Sequence, residues 1–414
     1  MVLVAIVCAG YARVYSTNFV IWKAHPIFAT IFFGYLRKNV EICKSYDITT
    51  KCDKRKMDID TTISQRYTAD AVALLSRLIA TPSISREEGA AADLLEDAMQ
   101  AWHLCQMRSG NNIWAVAEGY DSQRPTLLLN AHLDTVRPVA SWTRDPFTPS
   151  LEDGRLYGLG SNDCGGGLVA LLQVFRLLSR TPQCYNLIFL ASAEEEVSGA
   201  NGLSSVLAKL PAIHLAIVGE PTGMEPAVAE KGLMVIDMTS HGRSGHAARG
   251  EGENAIYKML DDLLWLRDYR FDRVSDLLGP TLMNVTVVHS GTQHNVIPDT
   301  CEAIIDIRTN EHYTNEEVFD IIRAHVKSEV KARSFRLRSS GIALDHPVVA
   351  RCLEMGMVPF GSPTLSDQAL MPFPSLKLGP GESSRSHSAD EYIGVDEIAD
   401  AITKYLQLLD GLKF

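Results

Sequence analysis

The sequence has little of what would mark a disulfide-rich, membrane-spanning or nucleic-acid-binding protein. Its eight cysteines are scattered over 414 residues without a Cys-x-x-Cys pair, so no disulfide framework is indicated and we expect a reducing, cytoplasmic setting. No apolar run reaches the roughly 18–20 uninterrupted residues that a membrane span needs. The formal net charge of −11 would repel phosphate backbones. We therefore expect neither nucleic acid nor a membrane as a partner.

The first 56 residues differ in charge from the rest of the chain. They carry nine basic and three acidic residues, whereas the remainder carries 30 basic and 47 acidic ones. Their two apolar stretches, Met1–Ala12 and Phe19–Leu36, are too short or too interrupted for a membrane span, and the start lacks the charged residue typical of a signal peptide. We interpret residues 1–56 as a doubtful leader ahead of a true start at Met57. An anchor or targeting segment is the alternative.

Hydrophobic periodicity divides the rest of the chain into two kinds of structure. Up to about residue 233, predicted helices alternate with strands such as Thr126–Asn130, a continuous apolar run typical of a strand buried on both faces of a parallel sheet. Residues 234–339 follow a β-α-β-β-α order whose last helix is predicted over Asn315–Val330, and the first pattern then returns. We predict an α/β catalytic domain with a mostly parallel sheet (57–233 and 340–414) and an inserted, smaller α+β lid or dimerisation domain (234–339).

A His-x-Asp pair follows the predicted strand Thr126–Asn130. Ligands of α/β sheets bind at the carboxyl ends of the strands, so His132 lies where a site is expected. In an extended segment, His132 and Asp134 point to the same side, and Asp134 can accept a hydrogen bond from the ring of a metal-bound His132. A structural histidine capped by an aspartate is the alternative.

Further carboxylates occupy similar positions. Glu194, Glu195 and Glu196 follow a second buried strand, and Glu220 follows a third. Asp163 lies in a glycine-rich turn before a helix, but the turn lacks the Gly-Lys-Ser/Thr of a phosphate loop and the third glycine of a dinucleotide-binding fingerprint. Each carboxylate also has an ordinary interpretation, as a helix N-cap for Asp163 and as a solvated acidic loop for the glutamates.

Considered together, these positions form a ligand set of two imidazoles and three carboxylates. Its members are His132, Asp163, Glu196, Glu220 and His387, the last of which follows a Gly-Pro-Gly turn. Such ligands suit two divalent cations that share a bridging carboxylate, with zinc first and cobalt or manganese next.

In this order of motifs, the chain from about Met57 onward resembles the zinc metallopeptidase family that includes acetylornithine deacetylase, succinyl-diaminopimelate desuccinylase, aminoacylases and glutamate carboxypeptidases. It is most similar to the acetylornithine or acetylcitrulline deacetylase-like members. The resemblance implies that His132 and Glu196 each hold one side of the metal pair and that Asp163 bridges, while Glu220 and His387 complete the ligand shells. It implies that Glu195 is the general base and that Glu194 is not a ligand. The turn departs from the family, because Cys164-Gly165 stands where many relatives have Met-Lys-Gly; we expect Cys164 to be a buried small residue.

The resemblance also assigns roles outside the ligand set. The smaller domain of the family supplies dimer contacts and a histidine that reaches the active site, and His246 stands at that position; an exposed surface histidine is the alternative. Asn295 and Arg308 match positions that contact substrate. Asp367 and Arg385 are expected at the edge of the pocket, where each could meet a polar group of the substrate. An internal ion pair between them is the alternative.

We therefore expect a homodimeric, cytoplasmic hydrolase that removes an acetyl or succinyl group from the α-nitrogen of an amino acid. N-acetylornithine or N-acylcitrulline, in arginine biosynthesis, is the expected substrate. Glu195 would take a proton from a metal-activated water, and His246 would donate to the developing oxyanion. A dipeptidase or carboxypeptidase with the same metal site is the alternative. A metal-binding homologue without turnover and a nucleotide-dependent oxidoreductase are further rivals, opposed by the retained Glu195 and by the absent glycine fingerprint.

Overall fold

The computed structural model describes residues 61–414, so the predicted leader at residues 1–56 and the proposed start at Met57 lie outside the described residues. The α-helices of the described part are α1 (Thr61–Ile79), α2 (Gly89–Ala101), α3 (Gly166–Leu178), α4 (Ala255–Asp268), α5 (Asn315–His325), α6 (Pro347–Glu354) and α7 (Val395–Leu409). Between residues 61 and 414, no helix is long and apolar enough to cross a membrane.

The strands of the same part are β1 (Gln106–Ser109), β2 (Asn112–Val116), β3 (Thr126–His132), β4 (Ser150–Glu152), β5 (Arg155–Tyr157), β6 (Asn186–Ser192), β7 (Leu215–Val218), β8 (Ala227–Glu230), β9 (Met234–His241), β10 (Gly245–His246), β11 (Leu282–Ser290), β12 (Val296–Ile297), β13 (Thr300–Arg308), β14 (Glu329–Ala332), β15 (Ser340–Gly341), β16 (Phe360–Ser362), β17 (Ser375–Lys377) and β18 (Tyr392–Gly394).

A nine-stranded sheet carries the larger part of the fold. Its order is β1-β2-β6-β3-β7-β17-β8-β15, and β16 pairs with β8. The neighbours β6, β3, β7 and β17 run parallel to one another, whereas β1, β2 and β15 pair antiparallel towards the two ends. The predicted α/β fold with a mostly parallel central sheet is confirmed. Because the four central strands are parallel, their carboxyl ends lie at one edge of the sheet.

Burial of this sheet follows from its sequence. All seven residues of β3 and all seven of β6 are buried, as expected for strands covered on both faces. Helix α3 is also buried throughout, because its sequence is apolar around almost the whole circumference. Its one charged side chain, Arg176, forms an ion pair with Asp70 of α1 at 3.0 Å. Helix α3 begins directly after the turn that holds Asp163, so a buried helix fixes the position of that turn.

A second sheet has its own hydrophobic cluster. Strands β11-β13-β9-β14 form it in that order, and α4 and α5 pack against its buried face. Residues of β9 alternate between buried and partly exposed, which is the pattern of a strand with one covered face. Residues 61–414 nevertheless belong to a single compact unit. The bounds of the inserted domain, 234–339, therefore stay a prediction.

Helix α5 is shorter than predicted. It ends at His325 and not at Val330, because Val326 has an extended backbone. Asp262 accepts hydrogen bonds from the backbone N–H groups of Lys327 and Ser328, at 2.9 Å each, which holds the chain away from a further helical turn. The next residues form β14 and pair with β9.

Candidate metal centre and active site

The edge where the central strands end brings the five predicted ligands together. His132 is the last residue of β3, and its Nε2 lies 3.1 Å from Oδ1 of Asp163 and 3.7 Å from Oε1 of Glu220. His387 lies on the loop after β17, and its Nε2 is 2.9 Å from Oε2 of Glu196 and 3.6 Å from Oδ2 of Asp163. Asp163 thus lies between two groups, one of His132 with Glu220 and one of His387 with Glu196.

The ring of His132 is held in the orientation that a metal ligand needs. Its Nδ1–H donates to the backbone carbonyl of Asp134 at 2.8 Å, which leaves the lone pair of Nε2 facing the carboxylates. We expected the side chain of Asp134 to accept this hydrogen bond. The structure corrects this expectation, since the nearest carboxylate oxygen of Asp134 lies 3.7 Å from Nδ1.

The carboxylate of Asp134 instead fixes the loop after β6. It accepts hydrogen bonds from the backbone N–H groups of Glu195 (2.9 Å) and Glu196 (3.2 Å) and from the hydroxyl of Ser85 (2.7 Å). Asp134 is fully buried and has no contact with the cavity described below. It is therefore placed to position Glu195 and Glu196.

The structure separates the three adjacent glutamates. Glu194 turns away from the site and accepts hydrogen bonds from the side chain and the backbone N–H of Asn201, which agrees with a role other than that of a ligand. Glu196 faces His387. Glu195 lines the cavity described below. Burial, together with the charges of Glu220, Asp367 and Glu196, raises the pKa of Glu195 well above its ordinary value.

Several observations show that the cluster fits divalent cations. One carboxylate oxygen of Glu220 is buried without a hydrogen-bond partner. Burial and the charge of Asp163 raise the pKa of Glu220 to about 8, which is the signature of carboxylates that lack a compensating charge. Ligand atoms of His132, Asp163 and Glu196 all lie within 4.8 Å of one another. Imidazole and carboxylate donors of this kind suit zinc, cobalt or manganese.

The thiol of Cys164 lies beneath this cluster. Cys164 is 1% exposed and accepts a hydrogen bond from the backbone N–H of His132 at 3.2 Å. Burial raises the pKa of the thiol to about 12. The expectation of a buried small residue at this position is confirmed.

A cavity of about 370 Å³ opens beside the ligands. Its walls include the candidate ligands Asp163, Glu196, Glu220 and His387 and the proposed base Glu195. The other lining residues are Pro221, Thr222, Phe360, Ser362, Pro363, Thr364, Leu365, Lys377, Ser383 and Ser386. The cavity is large enough for one amino-acid derivative, and Glu195 lies in its wall.

Two residues expected at the edge of this cavity have internal partners. Asp367 is 4% exposed and accepts a hydrogen bond from Ser192 at 2.5 Å. Arg385 pairs with Glu397 at 2.7 Å and lines a different cavity, next to the start of α7. The expectation that both meet a ligand at one pocket is therefore corrected. Arg385 does form an internal ion pair, but with Glu397 and not with Asp367.

The residues assigned to the lid lie apart from the cavity walls. His246 and Asn295 are exposed neighbours, because β10 pairs with β12 and the N–H of Ala247 donates to the carbonyl of Asn295. Arg308 ends β13 and forms a bidentate pair with Asp306. None of the three lines the 370 Å³ cavity in the described part of the chain.

Sequence reasoning missed Glu391, which supports Asp163 from below. Glu391 is buried and accepts hydrogen bonds from the backbone N–H groups of Gly160, Asn162 and Asp163. Asn162 in turn bonds the backbone of Glu382 on the His387 loop. The only signal in the sequence was an acidic residue shortly after a candidate ligand, which is too common to single out.

Five imidazole and carboxylate side chains that converge at one edge of the sheet form a site of the kind that metal-dependent hydrolases use. The model of peptidase family M20/M25/M40 matches residues 128–411, and the chain belongs to this family.

Individual relatives agree with this assignment. Acetylornithine deacetylase of Edwardsiella ictaluri is 30% identical over 82% of this chain and 96% of its own. Succinyl-diaminopimelate desuccinylase 2 of a Ruegeria species is 29% identical over 64% of this chain and 71% of its own. A dinuclear metal-binding peptidase of the M20 family from Bacillus subtilis has a similar structure, with a TM-score of 0.65, 16% identity, and coverage of 84% of this chain and 98% of its own. The last similarity concerns the fold alone.

Proposed function

We propose that this family member is a two-metal deacylase that hydrolyses N-acyl amino acids, with N-acetylornithine or N-acylcitrulline as substrate and a place in arginine biosynthesis. The observation that supports it most directly is the convergence of five ligand-type side chains beside a cavity that also contains Glu195, a carboxylate outside the ligand set. The family and the two relatives named as a deacetylase and a desuccinylase support the same class of reaction.

His132 and Glu220 would hold one metal ion, His387 and Glu196 the other, and Asp163 would bridge them. Zinc is the ion that this ligand set favours, before cobalt and manganese. When bound, the ions would supply a water of lowered pKa and polarise the amide carbonyl.

The protein's own residues would then move the proton. Glu195 takes a proton from the attacking water and delivers it to the amine nitrogen as the C–N bond breaks, so that a carboxylic acid and a free amino acid leave. Asp134 positions Glu195 through its backbone N–H during both transfers. His246 is the proposed donor to the developing oxyanion. Because His246 does not line the cavity, this role requires its lid, or the lid of a second subunit, to approach the site.

A homodimer formed through the lid is part of this proposal. Strand β11 is an edge strand of the lid sheet, and its Val285, Val287 and Val288 are 36–52% exposed. Tyr257 and Leu260 of the neighbouring α4 are exposed as well. An apolar edge strand beside an apolar helix face is a typical surface for pairing with a second copy. Cytoplasmic localisation stays a prediction.

A dipeptidase or carboxypeptidase with the same metal site is the alternative. The decisive experiment measures amine release from N-acetyl and N-succinyl amino acids and from dipeptides, after metal content has been determined. A deacylase releases amine from the first two sets with much higher kcat/KM than from dipeptides. The reverse preference would establish the alternative, and turnover of neither set by metal-loaded protein would exclude both.

A further inference from the structure

One wall of the cavity contains a buried ammonium group. Lys377 ends β17 and is 2% exposed, yet it is one of the residues that line the cavity. Burial of a lysine is costly unless an anion compensates it. The partner is Glu230 at the end of β8, with Nζ and Oε2 3.0 Å apart. Strands β8 and β17 are neighbours, so the sheet itself holds the two charges together.

The two charges of this ion pair face different parts of the protein. Lys377 lines the cavity, whereas Glu230 is fully buried behind it and is not among the lining residues. The carboxylate of Glu230 also accepts a hydrogen bond from Ser366 at 2.6 Å, which ties it further to the interior. The positive end of the pair therefore faces the cavity and the negative end faces the core.

The same ammonium group organises the polar wall beside it. Its Nζ donates to the carbonyl of Thr364 at 3.0 Å and lies 3.1 Å from the hydroxyl of Thr364. That hydroxyl is 3.0 Å from the hydroxyl of Ser362. Ser362 and Thr364 also line the cavity. The three N–H groups of Lys377 are thus taken by Glu230 and Thr364, so the ammonium acts on the cavity through its charge. The hydroxyl groups of Ser362 and Thr364 are the part of this wall that can meet a hydrogen-bond acceptor.

Lys377 contributes a positive charge to the cavity that is not part of the candidate metal site. Among the described residues that line the cavity, Lys377 is the only lysine or arginine. The lining carboxylates are the candidate ligands and base, which bound divalent cations would balance. The field of Lys377 reaches the ligands, since it is one of the charges that lower the pKa of Glu220 against the effect of burial. A second ammonium in the same small cavity would be repelled at low effective dielectric.

We propose that Lys377, backed by Glu230 and joined by Ser362 and Thr364, is a specificity wall that selects substrates whose side chain ends in an uncharged hydrogen-bond acceptor and rejects those that end in an amino group. The inference rests on the proposed deacylase function and distinguishes between its two substrates. A ureido end, as in N-acetylcitrulline, offers a carbonyl to the wall. The amino end of N-acetylornithine carries a positive charge near neutral pH.

The test uses a paired substitution, because Lys377→Gln alone would leave Glu230 as an uncompensated buried charge. The variant Lys377→Gln/Glu230→Gln removes both charges and keeps hydrogen-bonding groups. Arg176→Gln/Asp70→Asn is the matched control, since it removes another ion pair whose residues do not line the cavity. Circular dichroism and metal content establish that each variant is folded and loaded.

Binding is measured by calorimetry in a Glu195→Gln background, so that the result does not depend on turnover. With Lys377 and Glu230 intact, N-acetylcitrulline should bind about tenfold or more tightly than N-acetylornithine. The Lys377→Gln/Glu230→Gln change should reduce this ratio about fivefold or more, mainly through tighter binding of N-acetylornithine. The control pair should leave the ratio unchanged.

Equal binding of the two ligands, preference for N-acetylornithine, binding of neither, or an unchanged ratio in the folded Lys377→Gln/Glu230→Gln protein would overturn the specificity wall. Amine release by protein with intact Glu195 is measured separately. Turnover without the expected preference would leave the deacylase proposal standing and refute only the wall. The expected preference in binding without any amine release would support the wall and refute the proposed reaction.

Discussion

Replacing Glu391 by alanine should weaken metal binding, although Glu391 is not a candidate ligand. Its carboxylate is 2% exposed and accepts the backbone N–H groups of Gly160 (3.1 Å), Asn162 (2.8 Å) and Asp163 (2.9 Å). These groups belong to the turn that places the carboxylate of Asp163 between His132 and His387. Without Glu391, the bridging carboxylate loses the support that fixes its position.

The magnitude follows from the number of hydrogen bonds lost. Each buried N–H left without a partner costs about 1–3 kcal/mol, so Glu391→Ala should lower the free energy of unfolding by about 3 kcal/mol or more. Loss of an outer-sphere contact of this kind typically lowers metal affinity by about 10–100-fold. Glu391→Gln should be intermediate, because its amide oxygen can still accept from Asn162 and Asp163 while its NH₂ group faces the N–H of Gly160.

The assay is competition for zinc against a chromogenic chelator, with thermal unfolding of the metal-free protein measured in parallel. Burial raises the pKa of Glu391 to about 7, so a buffer of about pH 8.5 keeps the wild-type carboxylate ionised. Asp390→Asn is the control, since Asp390 accepts from the backbone of Thr143 and Arg144, away from the ligands. The expected order of affinity is wild type and Asp390→Asn, then Glu391→Gln, then Glu391→Ala. Wild-type zinc affinity in Glu391→Ala would refute the reasoning.

Three further predictions follow from the site and the lid. Glu195→Gln should retain its metal and lose about 10²–10⁴-fold in kcat, measured by amine release; near-normal turnover would show that Glu195 is not the base. Val287→Glu should dissociate the proposed dimer in analytical ultracentrifugation, whereas Arg336→Glu, outside the exposed edge strand, should leave it intact; an undissociated Val287→Glu dimer would place the interface elsewhere. Burial raises the pKa of Asp367 to about 6, above its ordinary value of about 4, so its contribution to stability is full below about pH 4 and is lost as pH rises through about 6. For the metal-free protein, the free energy of unfolding of Asp367→Asn minus that of wild type should therefore be about 2 kcal/mol larger at pH 8 than at pH 4. Equal differences in chemical denaturation at the two pH values would contradict this sign.

The fold and the convergence of the candidate ligands at one edge of the sheet were predictable because each depends on a local pattern. Continuous apolar strands such as Thr126–Asn130 imply a sheet covered on both sides, and parallel strands end at one edge. A polar residue at or just beyond the end of such a strand, as with His132 and Glu220, is therefore placed at the site by the strand alone. The end of α5 was mispredicted because Asp262, from another helix, binds the backbone of Lys327 and Ser328. That contact has no counterpart in the local periodicity.

Residues that act through partners distant in sequence could not be predicted in the same way. In the sequence, Lys377 is a single charged residue at the end of one short strand, and Glu230 is a single charged residue at the end of another. Only the antiparallel pairing of β8 with β17 brings them together. Which of the two charges faces the cavity and which faces the core depends on how each side chain is buried, and the sequence does not show this. The hydrogen bond expected between the Asp134 carboxylate and the His132 ring could not be predicted for a similar reason. The His-x-Asp spacing fixes which side the carboxylate faces, but the loop after β6 offers it two backbone N–H donors. The carboxylate accepts from these two donors and not from the single N–H of the ring. The backbone carbonyl of Asp134, which no residue pattern encodes, is then left to orient His132.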